Sequence, residues 1–123
     1  MDHEKYMRLA LIEAKKAAAA GEIPVGAVVV CGNTVLAAAR NDREVTHSPL
    51  GHAEVRAIEM ACQARGDWRL DNCTLYVTLE PCPMCSGAII NSRIRRVVYG
   101  AADTKAGCCG SLTDLFALPF NHH

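Results

Sequence analysis

The sequence lacks any excess of charge of one sign, because its 13 Lys and Arg residues equal its 13 Asp and Glu residues. A net charge of zero provides no whole-chain attraction to nucleic acid, so such a partner would have to be held by a local patch. The sequence also lacks an apolar run approaching the roughly 20 residues that span a membrane. Its first residues mix acid and base and do not resemble a signal peptide. We therefore expect a cytoplasmic protein that contacts no membrane.

Internal repeats, low-complexity tracts and linker-like stretches are absent as well. The chain has 123 residues, half of them hydrophobic, which is enough to bury a core in one domain. We therefore expect residues 1–123 to form a single domain.

Cysteine, by contrast, is frequent. Three facts argue against a disulfide scaffold: the number of cysteines is odd, no export signal precedes them, and the chain has enough apolar residues to fold without cross-links. In a cytosolic protein, clustered cysteines more often indicate metal or redox chemistry. The seven cysteines are Cys31, Cys62, Cys73, Cys82, Cys85, Cys108 and Cys109.

Apolar residues alternate between helical spacing and short β-branched runs. Strands joined by helices imply parallel pairing and right-handed crossovers, and an opening hairpin adds one antiparallel pair, so we expect an α/β layered domain with a mixed sheet of about four strands. The predicted elements are helices over Glu4–Ala20, Gly51–Ala64 and Met84–Ile90, strands over Pro24–Cys31, Thr34–Ala39, Cys73–Leu79 and Ile94–Tyr99, a loop over Asn41–Pro49, and a short helix near Leu112–Ala117.

Two short segments carry groups suited to metal chemistry. Cys82 and Cys85 stand three residues apart at the start of a predicted helix, whose positive end favours thiolates. His52 begins another helix and can supply a third ligand, which leaves one tetrahedral zinc position for water. Glu54 lies two residues from His52 and can approach that water without binding the metal. The pattern predicts a catalytic zinc site in which Glu54 moves protons.

Each part of this pattern also has a simpler interpretation. A Cys-x-x-Cys pair can be a redox pair or half of a zinc ribbon, a lone histidine is often structural, and a glutamate near a helix start often stabilises the helix. In combination, His-x-Glu followed by Pro-Cys-x-x-Cys is typical of zinc-dependent nucleobase deaminases.

The residues around these motifs extend the pattern over nearly the whole chain, in segments 23–28, 70–85, 87–94 and 97–101. Taken together, they resemble the tRNA adenosine deaminase family of the cytidine-deaminase-like superfamily. The two metal segments are shared by the whole superfamily, guanine deaminases included. The Asn-Ser-Arg-Ile segment and the loop with Asp103, Lys105 and Gly107 point to the tRNA branch.

The resemblance implies a three-layer α/β/α cytidine-deaminase-like fold with one Zn²⁺ per subunit, and a homodimer whose RNA site uses both subunits. It implies hydrolytic deamination of adenosine to inosine at the wobble position of a tRNA anticodon loop. Two alternatives stay open. The protein could deaminate a free nucleobase or nucleoside, such as guanine or cytosine, or it could be a non-catalytic, zinc-stabilised nucleic-acid-binding module.

Individual site residues are also implied by the resemblance. Asn41 is expected to hydrogen-bond the base, with an ordinary turn residue as its alternative. Val25 and Ala53 are expected to line the pocket. Near the RNA strand the resemblance places Asp103, Lys105 and His122, where a solvated loop is the alternative for Lys105.

Some features depart from the family pattern or stand outside it. The segment His47–Gly51 replaces the common Asp-Pro-Thr-Ala, and the sequence ends at His123 where family members usually continue through a fifth strand and a final helix. Without those elements one strand is expected to have an open edge. A basic cluster at Arg93, Arg95 and Arg96 is either a phosphate-binding patch or a solvated connection.

Overall fold

The computed structural model describes residues 2–118. Within that range, helices and strands alternate much as the apolar spacing predicts. In chain order they are α1 (His3–Ala19), β1 (Gly26–Cys31), β2 (Thr34–Arg40), α2 (Arg43–Thr46), α3 (Ala53–Arg65), β3 (Cys73–Leu79), α4 (Pro83–Asn91) and β4 (Arg96–Ala101), followed by a 3₁₀ turn over Leu115–Ala117.

The four strands form one mixed sheet in the order β2-β1-β3-β4. β1 pairs antiparallel with both β2 and β3, and β3 pairs parallel with β4. The expectation of a single antiparallel pair was therefore wrong. β1 lies between the two strands that α3 connects, so β2 and β3 run in the same direction without touching. The continuous apolar run of β1 reflects this central position, because five of its six residues are buried.

Helices cover both faces of the sheet, which confirms the three-layer arrangement. On one face, Tyr6 and Ala10 of α1 pack against Val28 and Tyr76. On the other face, α3 and α4 pack over the alternate strand residues. That larger core cluster consists of Val25, Ala27, Val29, Ala37, Ala39, Ala53, Ala57, Ile58, Ala61, Leu70, Cys73, Leu75, Val77 and Ile89.

α1 approaches the sheet most closely at the first residue of β1, where Gly26 has no side chain. A Cβ atom at Gly26 would lie 2.6 Å from the backbone nitrogen of Ala14, and still closer to the carbonyl oxygen of Ala10. Only glycine allows the helix backbone to contact the strand backbone at this distance. The contact holds α1 against the sheet end that carries the chemically active residues.

The loop predicted over Asn41–Pro49 contains a single helical turn, α2. The start of α2 is capped by a residue that lies far from it in the sequence. The backbone N–H groups of Glu44 and Val45 donate hydrogen bonds to the carboxylate of Glu22 at 3.0 and 2.8 Å. No helix within the described residues is both long and apolar enough to cross a membrane.

Candidate active site

The predicted ligand side chains His52, Cys82 and Cys85 converge at one edge of the sheet. Their ligand atoms all lie within 4.8 Å of one another. The Nδ1 atom of His52 is 3.5 Å from the Cys82 sulfur and 3.4 Å from the Cys85 sulfur. His52 immediately precedes α3, Cys82 immediately precedes α4, and Cys85 lies in the first turn of α4. The beginnings of two helices therefore bring three metal-binding groups together.

The protonation of the two cysteines fits a site for a divalent cation. A hydrogen bond from the Cys85 thiol, more than any other interaction, lowers the pKa of Cys82 to about 5. The same hydrogen bond, together with burial, raises the pKa of Cys85. The pair thus favours a thiolate beside an imidazole nitrogen. One nitrogen and two sulfur ligands are a typical donor set for zinc with one coordination position left open, so these residues fit a zinc ion.

Glu54 lies beside this group without being part of it. Its side chain is buried, and the neighbouring Cys85 thiol affects the pKa of its carboxyl group. Burial is the main reason that the pKa of Glu54 is raised above its ordinary value. A buried carboxyl group with a raised pKa next to a metal-binding group is suited to carry a proton during catalysis.

A cavity of about 180 Å³ opens onto these groups. Because its wall includes two of the predicted metal ligands, His52 and Cys82, together with Glu54, Asn41 and Val25, it is the natural place for a substrate. Its lining residues are Ile23, Val25, Asn41, Arg43, His52, Glu54, Leu79, Glu80, Cys82, Asp103 and Ala106.

The whole chain, residues 1–123, matches the model of the MafB19-like deaminase family. A tRNA-specific adenosine deaminase of Bacillus subtilis is 52% identical over 97% of this chain and 74% of the relative. One from Agrobacterium fabrum is 46% identical over 96% of this chain and 78% of the relative. The chain belongs to the tRNA-specific adenosine deaminases, within the MafB19-like deaminases.

Two solved structures of similar proteins have the same fold as this deaminase. One comes from biochemical and structural studies of A-to-I editing by tRNA:A34 deaminases at the wobble position of transfer RNA. It is 44% identical, has a TM-score of 0.95, and is covered to 95% by the whole of this chain. The other, a guanine deaminase from Bacillus subtilis, is 36% identical, has a TM-score of 0.82, and is covered to 86% by the whole chain. These similarities confirm the predicted cytidine-deaminase-like fold.

Asn41 makes a local turn contact and also lines the cavity, and its hydrogen bond to a base stays a prediction. Its side-chain oxygen accepts a hydrogen bond from the backbone N–H of Arg43 at 3.1 Å, which is the local turn of an ordinary loop asparagine. It is also buried and lines the cavity together with Val25. Ala53, which was also expected to line the pocket, is instead fully buried in the core and is not among the residues that line the cavity.

Asp103 and Lys105, which were both expected near RNA, lie on the same loop but differ in their relation to the cavity. Asp103 lines the cavity, and its carboxylate accepts hydrogen bonds from the backbone N–H groups of Lys105 and Ala106 at 3.0 and 3.2 Å. The side chain of Lys105 is exposed on the same loop. His122 lies outside the described residues.

Sequence reasoning did not single out Glu80, although it lies in the same cavity wall. Glu80 is buried, and hydrogen bonds led by one from the Ser111 hydroxyl lower its pKa to about 2. The available signal was an acidic residue between a buried strand and Pro81-Cys82. Its hydrogen-bond partners, however, lie 23 to 31 residues further along the chain, beyond the reach of local patterns.

The arginine cluster lies away from the metal-binding residues. Arg96 pairs with Thr74 at the beginning of β3, whereas Leu79 at the other end of β3 leads into the site. Five residues of strand correspond to roughly 17 Å. Arg93 lies over the ring of Trp68, 5.4 Å from its centre. The cluster therefore does not line the cavity.

The other cysteines are not part of the metal-binding group. Cys73 is buried, and Cys31 and Cys62 pack half-buried against the same core. Cys108 and Cys109 belong to the loop after β4. Among residues 2–118, His52, Cys82 and Cys85 form the only group of three or more side chains arranged to hold a metal ion.

Proposed function

We propose that the protein hydrolytically deaminates adenosine to inosine at the wobble position of a tRNA anticodon loop. The observation that carries this proposal is a buried Glu54 next to the convergent His52, Cys82 and Cys85, around one cavity. That arrangement occurs in a chain 52% identical to a tRNA-specific adenosine deaminase.

One zinc ion per subunit would be held by His52, Cys82 and Cys85. When bound, zinc supplies a Lewis acid that makes water a better nucleophile near neutral pH. The chain's own contribution is to hold three ligands at helix beginnings. There the positive ends of α3 and α4 favour the negative charge of the sulfurs.

Glu54 would act as the acid-base group of the reaction. It accepts a proton from the attacking water and donates it to N1 of the adenine ring as the C6–O bond forms. It then takes the remaining proton of the new hydroxyl group on C6 and donates it to the amino group, which leaves as ammonia as the C6–N bond breaks and the C6 carbonyl forms. One water is consumed and one ammonia is released, which leaves inosine. The raised pKa of Glu54 suits a carboxyl group that must hold a proton between these steps.

The cavity walls would select the base. Asn41 would hydrogen-bond the adenine, and Val25 would supply an apolar contact. Ala53 lies outside the cavity lining, so any contact of this residue with the base would be made through its backbone. Among the loop residues, Asp103 and Lys105 would lie beside the RNA strand. We also propose a contact with RNA for His122.

Deamination of a free base is the second candidate, because the similarity to the guanine deaminase of Bacillus subtilis covers the whole chain. Ammonia release should be measured with four substrates: tRNA, free adenosine, guanine and cytidine. Release from tRNA alone supports the proposal, whereas release from guanine or cytidine alone supports the second candidate. A non-catalytic module would release ammonia from none of them.

We further propose a homodimer, in the cytoplasm, whose RNA site uses both subunits. Light scattering of the purified protein should give twice the mass of one chain. A monomer that edits tRNA at full rate would contradict a site shared between subunits.

Cell fractionation tests the proposed cytoplasmic location. Recovery of the protein in the membrane fraction would contradict that location.

A further inference from the structure

A single buried carboxylate holds the loop that follows β4. Glu80 is 2% exposed and directly follows β3. One of its oxygens, Oε1, accepts a hydrogen bond from the backbone N–H of Asp103 at 3.1 Å. The other, Oε2, accepts from the N–H groups of Cys109 at 2.8 Å and Ser111 at 3.1 Å. The Ser111 hydroxyl donates to Oε1 as well.

The loop closes tightly around this carboxylate. A Cβ atom at Gly107 would lie 2.6 Å from the Oε1 atom of Glu80, so glycine is required for the close approach. Backbone bonds complete the enclosure on both sides. The Glu80 N–H donates to the carbonyl of Ala101, and the Cys108 N–H donates to that of Pro81, at 2.8 and 2.9 Å.

The enclosed loop also forms one wall of the cavity. Asp103 and Ala106 line it together with Val25 and Asn41. Asp103 is bonded to Glu80 through its own backbone N–H, so the position of this wall depends directly on the carboxylate. Few hydrophobic contacts are available to replace that bond, because most loop residues between 101 and 114 are partly or fully exposed.

Glu80 is poorly suited to a direct chemical role. An ionised carboxylate has about four acceptor positions, and four donors from the loop already occupy them. It is also absent from the group of side chains that could hold a metal. Its hydrogen-bonding capacity is used to fix the loop.

We propose that Glu80 is a positioning residue that sets substrate binding by holding the loop of residues 102–111 in place as a wall of the cavity. This inference rests on the proposed deamination of tRNA for its kinetic part. Its structural part, the attachment of the loop, can be measured without any activity.

The test compares the zinc-loaded wild type with Glu80→Gln and Ser111→Ala. In Glu80→Gln an amide donor replaces an acceptor, and Ser111→Ala removes one donor at an exposed residue. Glu4→Gln is the matched control, because Glu4 is an exposed residue of α1 distant from the loop. Three quantities are measured: backbone hydrogen exchange over residues 101–112, zinc content, and KM and kcat for a tRNA anticodon stem-loop.

We expect faster exchange over residues 101–112 in Glu80→Gln and, to a smaller degree, in Ser111→Ala. Loss of hydrogen bonds to a charged group should raise KM for RNA about tenfold in Glu80→Gln. Zinc content should stay unchanged, and kcat should stay within about threefold of wild type. Glu4→Gln should match the wild type in every measurement.

Unchanged exchange in both loop variants would overturn the proposal, as would loss of zinc or a fall in kcat at constant KM. If Glu80→Gln does not fold, the exchange and KM of Ser111→Ala decide in the same way. A wild type that forms no inosine would overturn the proposed function instead. The exchange measurement would still decide whether Glu80 holds the loop.

Discussion

The side chains of His52, Cys82 and Cys85 meet although they lie up to 33 residues apart in the chain. They meet because His52 and Cys82 each occupy the residue just before a helix. Neither His52 nor Cys82 uses its side chain to cap its helix, so the imidazole and the sulfur stay available for a metal. Pro83 occupies the first turn of α4, where its missing N–H costs nothing and its fixed φ angle favours the helix start. Local backbone preferences thus orient the ligands before any metal binds.

Zinc binding should depend on each of the three ligands. Because three protein ligands are the minimum of a typical catalytic zinc site, Cys85→Ser should reduce zinc from about one ion per subunit to near zero. Cys62→Ser is the matched control, since Cys62 is half-buried at the far end of α3. Elemental analysis of purified protein provides the measurement. Full zinc content in Cys85→Ser would contradict the assignment.

Glu54 should be needed for turnover and not for metal binding. Glu54→Ala should retain zinc and lose about 10²- to 10⁴-fold in kcat, the range typical of a general acid-base group. Glu59→Ala serves as the control, because Glu59 lies on the exposed side of α3 and contacts Arg56. The rate of inosine formation and the zinc content are measured on the same samples. Turnover at the wild-type rate by Glu54→Ala would rule out this role.

At the scale of residues, the sequence predicted the site residues that belong to short local motifs. It did not predict the site residues whose role depends on contacts between distant parts of the chain. The motifs around His52 and Cys82 could be recognised because each ligand set is local. Asn41 was assigned two alternative roles; the structure shows the turn contact and a place in the cavity wall, and the hydrogen bond to a base stays a prediction. Glu80 was missed, because its importance follows from Asp103, Cys109 and Ser111, which only the folded chain brings to it.

At the scale of elements, the direct contact between α1 and β1 positions the site end of the sheet. Gly26 makes this contact possible. Gly87 in α4 differs, because a Cβ atom there would meet nothing within 4 Å. The two glycines therefore occupy opposite environments.

The same substitution at these two glycines should have opposite effects on stability. Gly26→Ala should lower the free energy of unfolding by about 3 kcal/mol or more, because the added methyl group meets rigid backbone. Gly87→Ala should raise it by about 0.5–1 kcal/mol, since alanine favours a helix over glycine. Chemical denaturation of both variants tests this. Equal stability of Gly26→Ala and wild type would contradict the packing described for α1.

Strand and helix identities were predictable because apolar spacing is a local property. β3 was predicted to the residue at Cys73–Leu79, and α1 and α3 within two residues at each end. α2 was missed, since its cap comes from Glu22 about 20 residues earlier. The antiparallel pairing of β1 with β3 could not be read from the alternation of helices and strands, which does not say which strand lies in the middle.

At the scale of the whole molecule, two core clusters share the strands of one sheet. Alternate residues of β1 point into each of the two clusters. Because both helix layers pack on the same strand, the unfolding of one layer would disturb the packing of the other. We therefore propose that residues 1–123 form one domain that unfolds as a unit.

A single cooperative transition is the expected outcome of denaturation at fixed zinc concentration. Far-UV circular dichroism follows the helices, and the fluorescence of Trp68 follows the sheet end opposite the metal-binding residues. Coincident transitions are expected for a two-state domain. Two separated midpoints would contradict a single domain.

The most direct test of the account is the position of inosine in a tRNA that carries adenosine at the wobble position. The RNA is incubated with zinc-loaded protein, cleaved at defined sites and analysed by mass spectrometry. We predict that inosine appears at the wobble position with the wild type and forms at least about 10²-fold more slowly with Glu54→Ala. An absence of inosine with the zinc-loaded wild type, or equal amounts from both proteins, would contradict the account.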